Sequence, residues 1–220
     1  MDTQTENSFF AKTFLWMSLG LLGTAIIAAY TFYSGLCYQL LLSNSFAVVA
    51  IVELIAVLVF SFLFRKLSPT VAGIIFFIYA FLNGITLSTI FAVYELNSIV
   101  LIFIATSAIF GILAYIGYKT QRSLTDWRTI LTVLLVVGII ASIINLFLNN
   151  STLDIILTWG ILILFGAFTI YDMNKLKELA QDQSIEQVKL YIYGALELYL
   201  DFINIFLKLL RLFAIASRKN

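Results

Sequence analysis

Near the end of the chain, Glu197, Asp201, Asn204, Lys208 and Arg211 follow one another at spacings of four, three, four and three residues. At about 100° per helical residue these positions share one face, and Tyr193 and Gly194 continue it one turn earlier. The stripe is acidic in its first part and basic in its last, on a segment that is otherwise apolar. Ionisable groups held in an apolar segment can hold or pass a proton or a cation, and paired aspartates can also activate water. Two further carboxylates raise the same question: Glu53, in Val52-Glu53-Leu54, and Asp172, in Tyr171-Asp172-Met173. Plainer accounts compete. A ladder from Asp201 through Asn204 to Lys208 would only orient its helix, and Asp172, closing an apolar run, could rest at a membrane interface. Glu53 has apolar neighbours on every side. A charge at the centre of a spanning helix costs at least about 2.5–3.5 kcal/mol, so its presence points to function. Asn83, Thr86 and Asn145 are uncharged, and interhelical hydrogen bonding is the expectation for them.

Composition dictates the elements that must position these groups. Of 220 residues, 62% are hydrophobic and 11% charged, and the mean hydropathy is +1.03. Soluble domains carry roughly a quarter charged residues, so there is too little polar material here to coat a core in water. A bilayer is the solvent such a chain needs. Backbone groups in hydrocarbon must be bonded within their own segment, which makes apolar runs of about 20 residues helices. We expect an all-α integral membrane protein, a single transmembrane domain over residues 1–220. Its seven spans fall at roughly 14–33, 46–64, 71–94, 99–118, 130–148, 155–171 and 190–212. The polar stripe cannot face lipid, so the last helix is expected at the centre of the bundle. A charged, helical connector should join the sixth and seventh spans. Gly20, Gly23, Ser107 and Gly111 offer close helix contact.

Lysine and arginine set the orientation. Lys12, the pair Arg65 and Lys66, then Lys119, Arg122 and Arg128, then Lys175, Lys177 and Lys189 alternate with loops that have none, around 37–45, 95–98 and 149–154. The amino terminus is therefore expected in the cytoplasm. Lys208, Arg211, Arg218 and Lys219 make the carboxyl terminus basic as well. Either the last helix crosses against the charge rule, or it enters and returns on the cytoplasmic side.

Several function classes drop out. The chain has no histidine, which removes Ser-His hydrolysis, HExxH zinc chemistry and His-ligated haem or copper. A net charge of +1 gives no bulk attraction to nucleic acid. The one cysteine, Cys37, follows Leu36 and reads as a packed thiol, not a lipidation site. An intramembrane aspartyl protease would show Gly-x-Gly-Asp, which neither Leu200-Asp201-Phe202 nor Tyr171-Asp172-Met173 provides. A retinal protein would need a lysine midway along the last helix, and Lys208 lies late. We expect no enzyme activity and no cofactor.

The order of parts resembles the Bax inhibitor-1 (transmembrane Bax-inhibitor-motif) family. The segment Ser8-Phe9-Phe10-Ala11-Lys12-Thr13-Phe14 is similar to the one that leads into its first span, and Tyr171-Asp172-Met173-Asn174-Lys175 to the end of its sixth. Most specific is Ala195-Leu196-Glu197-Leu198-Tyr199-Leu200-Asp201-Phe202-Ile203-Asn204-Ile205-Phe206-Leu207-Lys208-Leu209-Leu210-Arg211, which resembles the family's carboxyl-terminal signature. The resemblance covers nearly the whole chain and implies seven helices with the last enclosed by the other six. It implies a pH-governed calcium leak in which Asp172 and Asp201 share a proton and bind the cation, with Arg65 the candidate partner of Asp172. Glu53 matches a glutamate linked to cation passage, and Glu197 and Asn204 join it as pore or gate candidates. Calcium ions, protons and membrane lipid are then the partners. A non-conducting regulator of other membrane proteins is the alternative that the family also makes plausible. The size of the chain and the absence of a targeting segment lead us to expect a bacterial plasma membrane. One count stands against the aspartate pair. Asp172 lies about three residues inside the cytoplasmic edge and Asp201 about eleven into its helix, a depth difference on the order of 10 Å at ~1.5 Å per residue.

Overall fold

The structure, a computed structural model, describes residues 3–43, 48–49, 51–52, 55–56, 60, 63, 66–181 and 186–217. The expected second span, which carries Glu53 and is closed by Arg65, lies largely outside the described residues, and both of those side chains do. The helices are α1 (Thr3–Tyr33), α2 (Leu36–Leu42), α3 (Pro69–Leu87), α4 (Ile90–Val93), α5 (Leu96–Lys119), α6 (Trp127–Leu148), α7 (Ser151–Leu179) and α8 (Gln187–Ser217). No strand occurs among the described residues.

Among the described residues, five segments can cross a membrane by length and composition: Asn7–Tyr33, Pro69–Val93, Leu96–Lys119, Trp127–Leu148 and Ser151–Leu179. The clearest case is α6. Of its residues only Leu131 is buried, while Ile130, Val133, Val137, Ile140 and Ile144 are exposed. Such a surface is tolerable where hydrocarbon covers it and would aggregate in water. α8, interrupted by Glu197, Asp201, Lys208 and Arg211, is not among these five segments.

Two boundaries differ from expectation, and a third extends a helix as expected. The run 71–94 is not one helix, because the Ser88 and Thr89 hydroxyls donate back to the Ile85 and Thr86 carbonyl oxygens (2.7 and 3.0 Å). That local bonding competes with the next helical turn, and α4 follows as a single short turn. The loop expected from Cys37 onward begins instead with α2, which buries Cys37 completely. The sixth apolar run ends at Tyr171, and the first part of the helical connector expected after it is present as an unbroken extension of α7 to Leu179. The helix runs on because apolar burial continues at helical spacing, through Met173, Leu176 and Ala180, while Lys175, Lys177 and Glu178 fall between those positions.

The chain divides into two compact units, one of Met1–Glu95 with Ala180–Tyr199, the other of Leu96–Leu179 with Leu200–Asn220. In the first, α1 packs on α3. Pro69 opens α3 at a position where its missing N–H costs nothing, and Ser68 caps the Val71 N–H. Gly84 lets the α1 backbone approach, since a Cβ there would come within 2.7 Å of the Thr24 carbonyl oxygen. A buried polar chain closes the unit. The Tyr199 hydroxyl donates to Asn83 Oδ1 (2.9 Å) and lies 2.6 Å from Thr24 Oγ1, which is also 2.9 Å from the Ala80 carbonyl oxygen. The expected interhelical role of Asn83 is thereby met. The Tyr199 ring packs edge-on against Phe76 and Tyr79. Tyr199→Phe keeps the ring and takes the buried Asn83 oxygen's Tyr199 donor away, a loss of about 1–3 kcal/mol. We expect the thermal midpoint in detergent to fall by about 3–8 °C; an unchanged midpoint would show that the hydroxyl carries no stability.

The second unit holds α5, α6, α7 and the later part of α8, with α5 and α6 each packed on α7. Phe202 of α8 meets Phe103 and Phe110 of α5 with ring centroids 5.2 and 5.5 Å apart. At Gly117 the α5 backbone touches α7 so closely that a Cβ would overlap the Ile170 carbonyl group. Of the small residues expected at close contacts, Gly20 and Gly23 do meet Phe76 and Phe81. Gly111 faces open space and Ser107 is exposed, bonded only to its own helix. In their place Gly84 and Gly117 make the close approaches.

Candidate functional site

Asp172 and Asp201 are both buried, at 6% and 3% exposure, on α7 and α8 of the same unit. An ionised carboxylate out of contact with water is costly unless a cation, a proton or hydrogen bonds offset it. Asp172 does not end its helix, because α7 runs two further turns beyond it. Lys175 Nζ lies 3.9 Å from Asp172 Oδ1 and over the Tyr171 ring, so one cation already serves the outer side of this turn.

The α7 segment around Asp172 is fixed by residues that sequence reasoning passes over. Asn174 accepts the Leu124 N–H (3.0 Å) and donates to the Thr120 carbonyl oxygen (3.1 Å), reaching both sides of the loop between α5 and α6. Lys177 Nζ donates to the Tyr118 and Thr120 carbonyl oxygens (3.3 and 3.2 Å). A cation on the orphan carbonyls at a helix carboxyl end is stabilising. With Gly117 in van der Waals contact one turn earlier, these bonds lock α7 to the end of α5 at the level of the aspartate. Only Lys177 carries a sequence signal, a basic residue near a helix end. Asn174 bonds groups some fifty residues away, and no local pattern reports that.

The stripe on α8 divides among different roles. Glu197 is half-buried and accepts from the Tyr193 hydroxyl one turn before it. Asn204 donates to the Leu200 carbonyl oxygen of its own helix (2.8 Å), so it does not carry a ladder from Asp201 to Lys208. Arg211 leaves the stripe altogether, gripping Asp154 in the first turn of α7 with Nε and a terminal nitrogen (3.1 and 2.6 Å). Asn145, expected to bond between helices, instead accepts the Asn150 N–H of the adjoining turn at its Oδ1. Among the described residues no group of three or more Asp, Glu or Cys is placed to hold a metal ion.

Comparison with known proteins agrees with the arrangement of parts. The family described as "Inhibitor of apoptosis-promoting Bax1" matches residues 6–218. The chain belongs to the Bax inhibitor-1 family. It is 37% identical over 212 residues to "Inner membrane protein YbhL" of Escherichia coli, covering 94% of this chain and 91% of that protein. A protein of Borreliella burgdorferi is 34% identical over 220 residues, 98% of this chain and 94% of its own. A protein of Streptococcus pyogenes described as a membrane protein is 32% identical over 213 residues, 94% of this chain and 92% of its own. The apolar helices and these relatives together make the chain an integral membrane protein of this family.

Proposed function

We propose that this protein is a pH-sensitive calcium leak of a bacterial plasma membrane, gated by a proton that Asp172 and Asp201 share. The observation that carries the reading is the burial of both carboxylates within one unit of a membrane-embedded helical protein. Two carboxylates within hydrogen-bond reach in a low-dielectric interior titrate as a pair. While the proton is shared, it links the helices that bear it. When it leaves, two like charges must separate or accept a cation. Calcium prefers carboxylate and carbonyl oxygens and takes six to eight of them. Two carboxylates supply at most four of those oxygens, so carbonyls and water complete the shell and binding stays weak enough for release. Proton and calcium thus compete for the same oxygens. Glu53, Glu197 and Asn204 belong in this reading to the pore or gate, and Arg65 is the candidate partner of Asp172. In this reading the chain crosses the bilayer seven times with α8 innermost and the amino terminus cytoplasmic.

The test is calcium entry into liposomes holding only the purified protein, across a series of pH values. A leak that varies with pH is the expected result. No leak at any pH would abandon the channel in favour of a non-conducting regulator that acts through other membrane proteins.

A further inference from the structure

At the end of the second unit far along the chain from the aspartates' turn, α6 and α7 meet through Asn149 and Asn150. Asn149 closes α6 in the left-handed region (φ 48°, ψ 36°), which asparagine tolerates better than most residues. Beside this turn lies a cavity of about 290 Å³ lined by the turn, by Ser142 and Asn145 of α6, by Asp154 of α7 and by Lys208 and Arg211 of α8.

Its polar groups do not balance. Both Asp154 oxygens are taken by Arg211. Lys208 lies near that pair, and among the described residues no acceptor or carboxylate bonds its ammonium. Two cations against one carboxylate leave a positive charge in surplus. The asparagines add neutral donors. The Asn145 oxygen accepts the Asn150 N–H (3.2 Å) and the Asn150 oxygen accepts the Leu153 N–H (3.0 Å). A backbone donor on each oxygen fixes which way the carboxamide faces, and its NH₂ group is left for another acceptor. Among the described residues neither NH₂ group meets one. The cavity therefore presents an ammonium and amide donors, with its one carboxylate already engaged. That set repels a metal cation and suits a group with several acceptor oxygens and a negative charge. The flanking Leu146, Phe147 and Leu148 are exposed, as suits acyl chains lying alongside.

We infer that this cavity is an oxyanion site that takes a phosphate group, carried by an anionic lipid headgroup or present as free inorganic phosphate. The site stands independently of the calcium reading and uses neither aspartate of the pair. It is tested by thermal unfolding of the purified full chain in detergent, with phosphatidylglycerol against phosphatidylcholine, and with inorganic phosphate against chloride at equal ionic strength. Wild type should be stabilised by at least one phosphate source. Lys208→Gln should bind it about tenfold more weakly, as loss of a charged contact implies, and Lys208→Arg should retain it. Stabilisation by phosphatidylglycerol alone assigns the lipid, and by inorganic phosphate alone the free ion. No stabilisation by either, or the same response in Lys208→Gln as in wild type, overturns the site. Hydrogen exchange on wild type tests the site without any variant: protection by the phosphate source should fall on the 145–154 turn, and protection elsewhere overturns it.

Discussion

Asp172→Asn and Asp201→Asn are each expected to flatten the pH profile of calcium entry. Asparagine has the shape of a protonated aspartate and keeps a donor at the same place, so helix packing should survive, yet it has no proton to release. A gate coupled to one titrating proton changes its equilibrium by up to about one decade per pH unit. The wild-type slope should approach that limit within its transition, and the slope of each variant should lie near zero. Because a pair titrates as a unit, the double variant should be no flatter than either single one, a non-additivity expected of coupled groups. Unchanged profiles in both single variants would sink the shared-proton gate. A flat profile in one alone would mean that the sensor is that residue with another partner.

The second large effect lies one turn away and is mechanical. A Cβ added at Gly117 would overlap the Ile170 carbonyl group and lie 2.9 Å from Met173 Cβ. Nothing there is the far end of a flexible side chain, so the two helices must part. Overpacking of this kind costs about 1–3 kcal/mol or more, and Gly117→Ala should lower the thermal midpoint by about 5–10 °C. Gly111→Ala on the same helix is the control. No atom stands within 4 Å of its added methyl, and alanine is the better helix former by about 1 kcal/mol, so the midpoint should hold or rise. Equal effects of the two substitutions would show that the close approach at Gly117 contributes nothing. Since Asp172 and Asn174 sit on the stretch of α7 that Gly117 touches, Gly117→Ala should also shift the pH profile without flattening it.

What can be read from the residues follows the range of the forces involved. The apolar runs and the polar stripe of α8 are periodic signals, and periodicity is local, so helices and the shared face of Glu197 and Asp201 are legible. The burial of Asp172 is not. Lys175, Lys177 and Glu178 make the following turns look like a solvated connector, whereas Met173, Leu176 and Ala180 carry burial past them. Asn174, Gly117 and the Asp154–Arg211 pair depend on groups brought together from far along the chain. A glycine that two backbones need and a glycine that faces open space read alike in a sequence, so nothing local separates Gly117 from Gly111.

The split membership of α8 bears on biogenesis. Residues 180–199 complete the unit begun by residues 1–95, although the whole of 96–179 is synthesised between them. During translation α1 and α3 therefore enter the membrane well before Tyr199 exists to engage Thr24 and Asn83. Those polar groups must wait in the bilayer, bonded to their own helices or shielded by an insertase, until residues 180–199 have been made. The early helices thus form an unfinished receptacle, and the later-made α8 both completes it and carries Asp201.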